Sequence, residues 1–232
     1  MRRPGGWRGF TLLEAMVVVA IIAVVAALAV VGSSGRRERG GLVGAAVELQ
    51  ALLHAARQNA LATGFSTVVM VFPNFPNPAA PRGRGRVIVY EDQEGTLFSA
   101  AAPVNFGSYN PGAAAVAPRS RVITTVDLPD EVWVGPPDGQ GGVLMPVPFE
   151  RVPVNAACTF CGADRGAIAF NPKGEASFYA GNGPPAVLQG GSVSVYNPSS
   201  TNPGADVAAN CPTIRTLSIV AATGALRVLK KG

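Results

Sequence analysis

An almost unbroken apolar stretch near the N-terminus, residues 10–31, constrains this chain more than any other feature. As a helix, its 22 residues would extend about 33 Å, enough to cross a hydrocarbon core of about 30 Å. Twelve of them are Leu, Ile or Val, and their summed insertion energies outweigh the roughly 3 kcal/mol cost of the one carboxylate, Glu14. The stretch therefore predicts a membrane-spanning helix. Its apolar residues outweigh the cost of Glu14, but a membrane span gives this carboxylate no role.

Two ordinary explanations of the stretch are weaker. A secretory signal peptide has an apolar region of about 7–15 residues before its cleavage site, and this stretch is too long. A simple anchor helix fits the length but leaves Glu14 without a role. Three arginines precede the stretch and three follow it within residues 36–39, so the charge balance does not set its orientation.

Composition limits what the rest of the chain can be. The net charge is +5, but the three arginines before the stretch account for much of it, and without them 16 basic side chains face 14 acidic ones. A strongly basic domain is therefore not indicated. The 28 Gly and 20 Pro residues make up about a fifth of the 232 positions, which is below the level typical of disorder. We expect a loop-rich β domain.

The segment RGFTLLEAMVVVAIIAVVAALAV, residues 8–30, resembles the N-terminus of type IV pilins and type II secretion pseudopilins. The resemblance implies a prepilin leader, residues 1–9, that prepilin peptidase removes between Gly9 and Phe10 before it methylates the new amine of Phe10. It also implies a single-pass protein of the bacterial inner membrane. Its leader would be cytoplasmic, its globular domain periplasmic, and its assembly would require an inner-membrane platform.

The resemblance also supplies a role for Glu14. When apolar helices leave the lipid and pack into a filament, a buried ammonium and a buried carboxylate are each costly unless they pair. Glu14 would therefore bind the Phe10 amine of an adjacent pilin or pseudopilin and set the register between subunits. Many pilins have a kinking proline near residue 31, where this chain has Val31, and Gly32 and Gly35 are expected to soften the helix instead.

A second helical pattern follows the apolar stretch and predicts an amphipathic helix over residues 32–64. Gly64 is predicted to cap its C-terminus, and His54, the single histidine, is predicted to lie on the helix surface or in packing. The segment LLHAARQNALATG resembles the corresponding helix of FimT-like minor pilins and H-type pseudopilins. The apolar stripe has alternating spacings of 4 and 3, and consists of Leu42, Ala46, Leu49, Leu53, Ala56 and Ala60.

Residues 65–232 change to the period of strands and predict a β-rich domain, so the fold class is α+β with the long helix packed against the sheet. Hairpins are predicted at FNPKGEAS and at Thr223–Gly224. Three Pro/Gly-rich segments, residues 73–86, 99–120 and 135–165, are predicted to be surface loops. The strands are predicted at residues 65–72, 86–91, 121–128, 132–134, 167–170 and 192–196.

The three cysteines, Cys158, Cys161 and Cys211, predict a disulfide in an oxidising compartment but leave the pairing open. A thioredoxin-like role is disfavoured because the CxxC surroundings are typical of a loop. A zinc site formed by the three cysteines and His54 has the right number of ligands but no second motif.

Two functions remain open on these residues. The first is a structural one: a minor pseudopilin of the type II secretion system, with no catalytic residue, metal or cofactor. The carboxylates of DLPDEV, namely Asp127, Asp130 and Glu131, are interpreted as solvated loop side chains. The second function is a FimT-like minor pilin that binds DNA. Its phosphate contacts would be Arg227, Lys230 and Lys231, with the RGRGR segment as a second patch.

Overall fold

The computed structural model describes residues 12–112, 119–134, 158–162, 164–186, 190–197 and 214–230. Within residues 12–39 it describes the backbone and only a few side chains. The contacts divide the chain into two units, Met1–Arg39 and Gly40–Gly232.

Helix α1 runs from Leu12 to Thr63 and continues through residues 32–35 without interruption. It ends where the sequence predicts: Gly64 has a φ of 74°, and its N–H bonds to the Ala60 carbonyl at 3.1 Å. Glycine is favoured at this position because it has no Cβ to clash in the left-handed region. In the described part of the chain, no helix combines the length and hydropathy needed to cross a membrane. The predicted span begins at Phe10, outside the described residues.

The described part of the second unit contains one sheet of nine strands. Its order is β6-β5-β1-β2-β4-β7-β8-β9, with β3 also paired to β2, and every pairing is antiparallel except β2 with β4. One helix and a large sheet agree with the predicted α+β class. The strands are β1 Ser66–Asn77, β2 Ala80–Asp92, β3 Arg121–Asp127, β4 Trp133–Val134, β5 Gly166–Phe170, β6 Ala176–Tyr179, β7 Gly190–Tyr196, β8 Arg215–Val220 and β9 Leu226–Lys230.

The main core lies between the second half of α1 and one face of the sheet. All six residues of the predicted helix stripe are at most 2% exposed, which confirms the amphipathic pattern. Alternate residues of the strands face this stripe because side chains alternate across a strand. The sheet contributes Val69 and Val71 from β1, Val87 and Val89 from β2, Ile168 and Phe170 from β5, Val193 and Val195 from β7, and Leu217 and Ile219 from β8.

A second apolar layer covers the opposite face of β1 and β2, and it corrects the prediction that residues 99–120 form a surface loop. Phe106 and Tyr109 are 0% and 4% exposed and pack on this face. A short 3-10 helix, Phe106–Ser108, places them there, and Asn105 caps it by accepting a hydrogen bond from Ser108 N. Arg165 fixes the layer by donating to the carbonyls of Phe106 and Tyr109. The Pro/Gly-rich composition of residues 99–120 indicated a surface loop and gave no sign of these two buried aromatic residues.

The prediction of a loop over residues 73–86 is also wrong, because β1 continues to Asn77 and β2 begins at Ala80. Proline lacks the N–H that an inner strand needs. Beyond Val71, however, β1 is paired only with β2, and the register shifts at Pro76. The Asn77 side chain closes the two-residue turn by accepting from Ala79 N. The two predicted hairpins, β5–β6 and β8–β9, are confirmed.

Candidate functional site

The residues predicted for processing and assembly lie largely outside the described part of the chain. Gly9 and Phe10 precede it, and Glu14 lies on α1 with a side chain that is not described. Cys211 and Lys231 are also outside it, whereas Lys230 has a described backbone on β9. For the predicted processing and assembly site, the structure therefore describes only the helix backbone at Glu14.

The second half of α1 has one buried and one exposed face. Opposite the buried stripe, Val43, Val47 and Leu61 are 44%, 58% and 41% exposed. His54 is also exposed, which agrees with the first of its two predicted placements, the helix surface rather than packing. This part of the helix is thus attached to its own sheet while presenting apolar side chains outward.

A polar network ties the end of α1 to the sheet through Glu91, whose side chain is 1% exposed. Asn59 donates from Nδ2 to Glu91 Oε2 at 2.9 Å and to Thr67 Oγ1 at 3.0 Å. Gln93 donates to the other carboxylate oxygen at 2.5 Å, and Arg121 lies 3.4 Å from it. Burial alone raises the pKa of Glu91, but the hydrogen bonds from Asn59 and Gln93 and the Arg121 charge lower it overall.

Arg57 connects α1 to two hairpin turns. Its Nε donates to the Gly174 carbonyl in the β5–β6 turn at 3.3 Å. Gly224, in the β8–β9 turn, lies so close to both groups that a Cβ there would overlap the Gly174 carbonyl. Ala176 N also bonds to the Ala221 carbonyl at 2.8 Å. The β5–β6 and β8–β9 turns, which lie at opposite ends of the strand order, therefore contact each other beside Arg57 of the helix.

In the described residues a disulfide joins Cys158 to Cys161, with their Cα atoms 5.1 Å apart. Two of the four ligands of the zinc alternative are therefore bonded to each other. Among the described residues, no group of three His, Cys, Asp or Glu side chains is placed to hold a metal. Cys158 forms an antiparallel bridge with Val193 on β7, and residues 159–160 make a turn.

The basic residues proposed for DNA contact are in different environments. In the RGRGR segment, Arg86 forms a bidentate ion pair with Asp127 at 2.5 and 2.7 Å and also donates to the Pro111 carbonyl. It is therefore not available as a phosphate contact, and Asp127 is not a solvated loop carboxylate, since it ends β3. Arg84 is exposed and lies 4.6 Å from the centre of the Trp133 ring. Arg227 is exposed on β9.

Sequence reasoning missed the Asn59–Glu91 pair and the close approach of Gly166 to the disulfide. Glu91 follows a valine-rich segment and precedes Asp92. Nothing in this local sequence indicates that the Asn59 amide of the helix reaches it. Gly166 is the first residue of β5, and its lack of a Cβ leaves room for the two sulfurs beside it. Neither residue identifies its partner in the sequence.

Residues 8–30 match the prokaryotic N-terminal methylation motif. This motif is that of the type IV pilin-like prepilin leader, and it supports a pilin-like or pseudopilin-like protein of the kind that forms structural subunits. The match covers only the N-terminal segment of the chain. No curated protein and no solved structure matches the chain.

Proposed function

We propose that this protein is a minor pseudopilin, a structural subunit of the periplasmic filament of a type II secretion system. The observation that carries the proposal is the methylation motif at residues 8–30. The α+β unit that follows supports it, because residues 42–60 of α1 bury one face on the sheet and leave the other exposed. Assembly with other pilins or pseudopilins is then the activity, and no bond is made or broken by this chain.

Maturation follows from the same motif. Prepilin peptidase cuts between Gly9 and Phe10 and methylates the Phe10 amine, and Glu14 pairs with that amine on an adjacent subunit. Both charges would be costly if buried singly, and removing one partner of such a pair leaves the other uncompensated. The leader is cytoplasmic, residues 10–31 span the inner membrane before assembly, and Gly40–Gly232 is periplasmic.

Mass spectrometry of the membrane fraction tests maturation. The expected chain begins at Phe10 and carries one methyl group on its amine. Cells without prepilin peptidase provide the control and should retain residues 1–9. An intact leader in cells with an active peptidase would contradict the proposal.

Glu14→Gln tests the assembly role. The variant keeps the size of the side chain and inserts into the membrane, but it is expected to enter filaments at least ten-fold less than the wild type. Glu48→Gln is the matched control, since Glu48 is exposed on the same helix in the second unit. Equal incorporation of both variants would refute the role of Glu14.

A FimT-like minor pilin that binds DNA is the second candidate, and the exposed Arg227 favours it. Arg227→Gln should weaken a gel shift by the full chain in detergent, and the effect should shrink as salt increases. Lys173→Gln, which removes an exposed charge from the β5–β6 turn, is the control. No shift at low salt would remove this candidate.

Deletion of the chain separates the two systems. Loss of exoprotein secretion with pilus-driven motility retained supports the pseudopilus. The opposite result supports the type IV pilus and overturns the first proposal.

A further inference from the structure

The five residues 158–162 form a short plug that is held against β7. Cys158 is 1% exposed and makes an antiparallel bridge with Val193. Thr159 N donates to the Ser192 carbonyl at 3.0 Å, and Ser192 N donates back to Thr159 Oγ1 at 2.8 Å. The plug is therefore hydrogen-bonded to the strand in both directions.

The plug also contributes an aromatic ring to the core. Phe160 is 3% exposed, and its ring centre lies 5.1 Å from that of Phe178 on β6. Gly191 on β7 lies directly beside both rings, so that a Cβ there would be 2.9 Å from Phe160 and would overlap Phe178. The ring of Phe160 thus fills the space between β6 and β7, which are not neighbours in the sheet order.

The disulfide itself contacts a third strand, β5. A Cβ on Gly166, the first residue of β5, would lie 2.5 Å from Cys161 Sγ and 3.0 Å from Cys158 Sγ. Bonded sulfurs are about 2.05 Å apart, whereas non-bonded heavy atoms need about 3.5–4 Å. Two separate thiols at this site would therefore press against β5 or move the plug.

The two cysteines differ in exposure. Cys158 is buried, whereas Cys161 is partly exposed at the turn that leads to Gly162. An incoming thiolate therefore reaches Cys161 more readily than Cys158. Because the closed loop is short, the disulfide restrains the unfolded chain only weakly, and its effect falls mainly on the local plug.

We propose that Cys158–Cys161 is a thiol–disulfide exchange site for a dithiol oxidoreductase, and that its redox state controls whether residues 158–162 stay docked between β5, β6 and β7. One thiolate of the dithiol attacks Cys161 Sγ, the disulfide bond breaks, and Cys158 leaves as a thiolate that takes up a proton. The second thiol of the dithiol then attacks its own sulfur in the mixed disulfide and releases Cys161, which is protonated. Two electrons pass to the protein, and the dithiol becomes a disulfide.

Hydrogen exchange of the full chain in detergent, with dithiothreitol as the dithiol, tests this inference. Reduction should accelerate exchange of the amides that hold the plug, those of Thr159, Gly162 and Ser192, at least ten-fold. The Val69 and Ile88 amides, which belong to the β1–β2 hairpin, are the internal control and should change little. Unchanged exchange after both thiols have been alkylated would overturn the proposal. Resistance of the disulfide to dithiothreitol until the whole chain unfolds would overturn it as well.

Variants separate this disulfide from the third cysteine. Cys158→Ser combined with Cys161→Ser should show the fast exchange without reductant, whereas Cys211→Ser should respond to dithiothreitol like the wild type. Loss of the response in Cys211→Ser would overturn the inference, since it would place Cys211 in the exchanging pair. The measurement uses purified chain without filaments, so its outcome is independent of the proposed assembly function.

Discussion

Asn59 on α1 donates a 2.9 Å hydrogen bond to Glu91 on β2, and Glu91 is 1% exposed. The same amide group reaches Thr67 on β1, so one helix side chain is bonded to two adjacent strands. A buried carboxylate is costly unless it is hydrogen-bonded, so the bond from Asn59 both compensates the Glu91 charge and joins the end of the helix to the sheet.

Glu91 should make stability depend on pH. The pKa of Glu91 is lower in the folded chain than in the unfolded chain, where it is about 4.3. The contribution of Glu91 to the free energy of unfolding is therefore complete above the unfolded-state pKa and is lost as the pH falls through the folded-state pKa. Glu91→Gln should be less stable at pH 7 and should lose less stability than the wild type below about pH 4.3. Urea unfolding of the full chain in detergent, followed by fluorescence, measures this difference. Glu94→Gln, an exposed neighbour, is the control, and parallel pH profiles for Glu91→Gln and wild type would contradict the prediction.

Leu53→Ala should destabilise the second unit by about 2–5 kcal/mol, because Leu53 is 1% exposed in the main core and its removal leaves a cavity. Val47→Ala, on the exposed face of the same helix, should change stability by no more than about 0.5 kcal/mol. Unfolding midpoints in urea compare the two variants. A similar loss in both would mean that the faces of α1 are wrongly assigned.

Gly224→Ala should cost more than Gly95→Ala, although both glycines have a positive φ, 60° and 66°. The left-handed conformation costs an alanine about 1–2 kcal/mol at either site. Only at Gly224 would the new Cβ also overlap the Gly174 carbonyl and crowd Arg57, which adds about 1–3 kcal/mol. Thermal unfolding of the two variants separates the backbone strain that both share from the steric overlap at Gly224 alone. Equal losses of stability would show that the β5–β6 and β8–β9 turns do not meet.

Gly166→Ala should destabilise the chain by about 1–3 kcal/mol, because the added methyl group meets both sulfurs of the disulfide. Gly181→Ala has open space around its Cβ and serves as the control. Circular dichroism melts of the oxidised proteins measure the effect. A Gly166→Ala protein as stable as Gly181→Ala would show that β5 does not approach the disulfide.

Periodicity predicted the buried stripe of α1 and the centres of most strands, because both depend on side chains within a few positions of one another. Strand ends were less predictable. Pro73 and Pro76 favour a loop, and they are accommodated only because β1 has a single strand partner at that end. That condition depends on the sheet order, which local pattern does not specify.

The packing of the helix on the sheet was predictable, but the individual side-chain contacts between distant segments were not. Nothing near Asn59 indicates that its amide meets Glu91, and three cysteines allow three pairings until the backbone brings Cys158 and Cys161 together. The methylation motif at residues 8–30 was recognisable because it is a contiguous pattern. The sequence therefore disclosed the N-terminal segment and the amphipathic helix more fully than the domain that follows them.

The pairing of β1 with β5 has a consequence for how the chain must fold. Thr67 is aligned with Phe170, and the last strands, β8 and β9, complete the surface that covers the helix stripe. Synthesis from the N-terminus produces the helix first and its covering strands last, and pairings between distant segments form slowly. A newly made chain therefore carries an apolar helix stripe that is only partly covered until β8 and β9 have been made, and truncation before β8 should leave it in an aggregation-prone state.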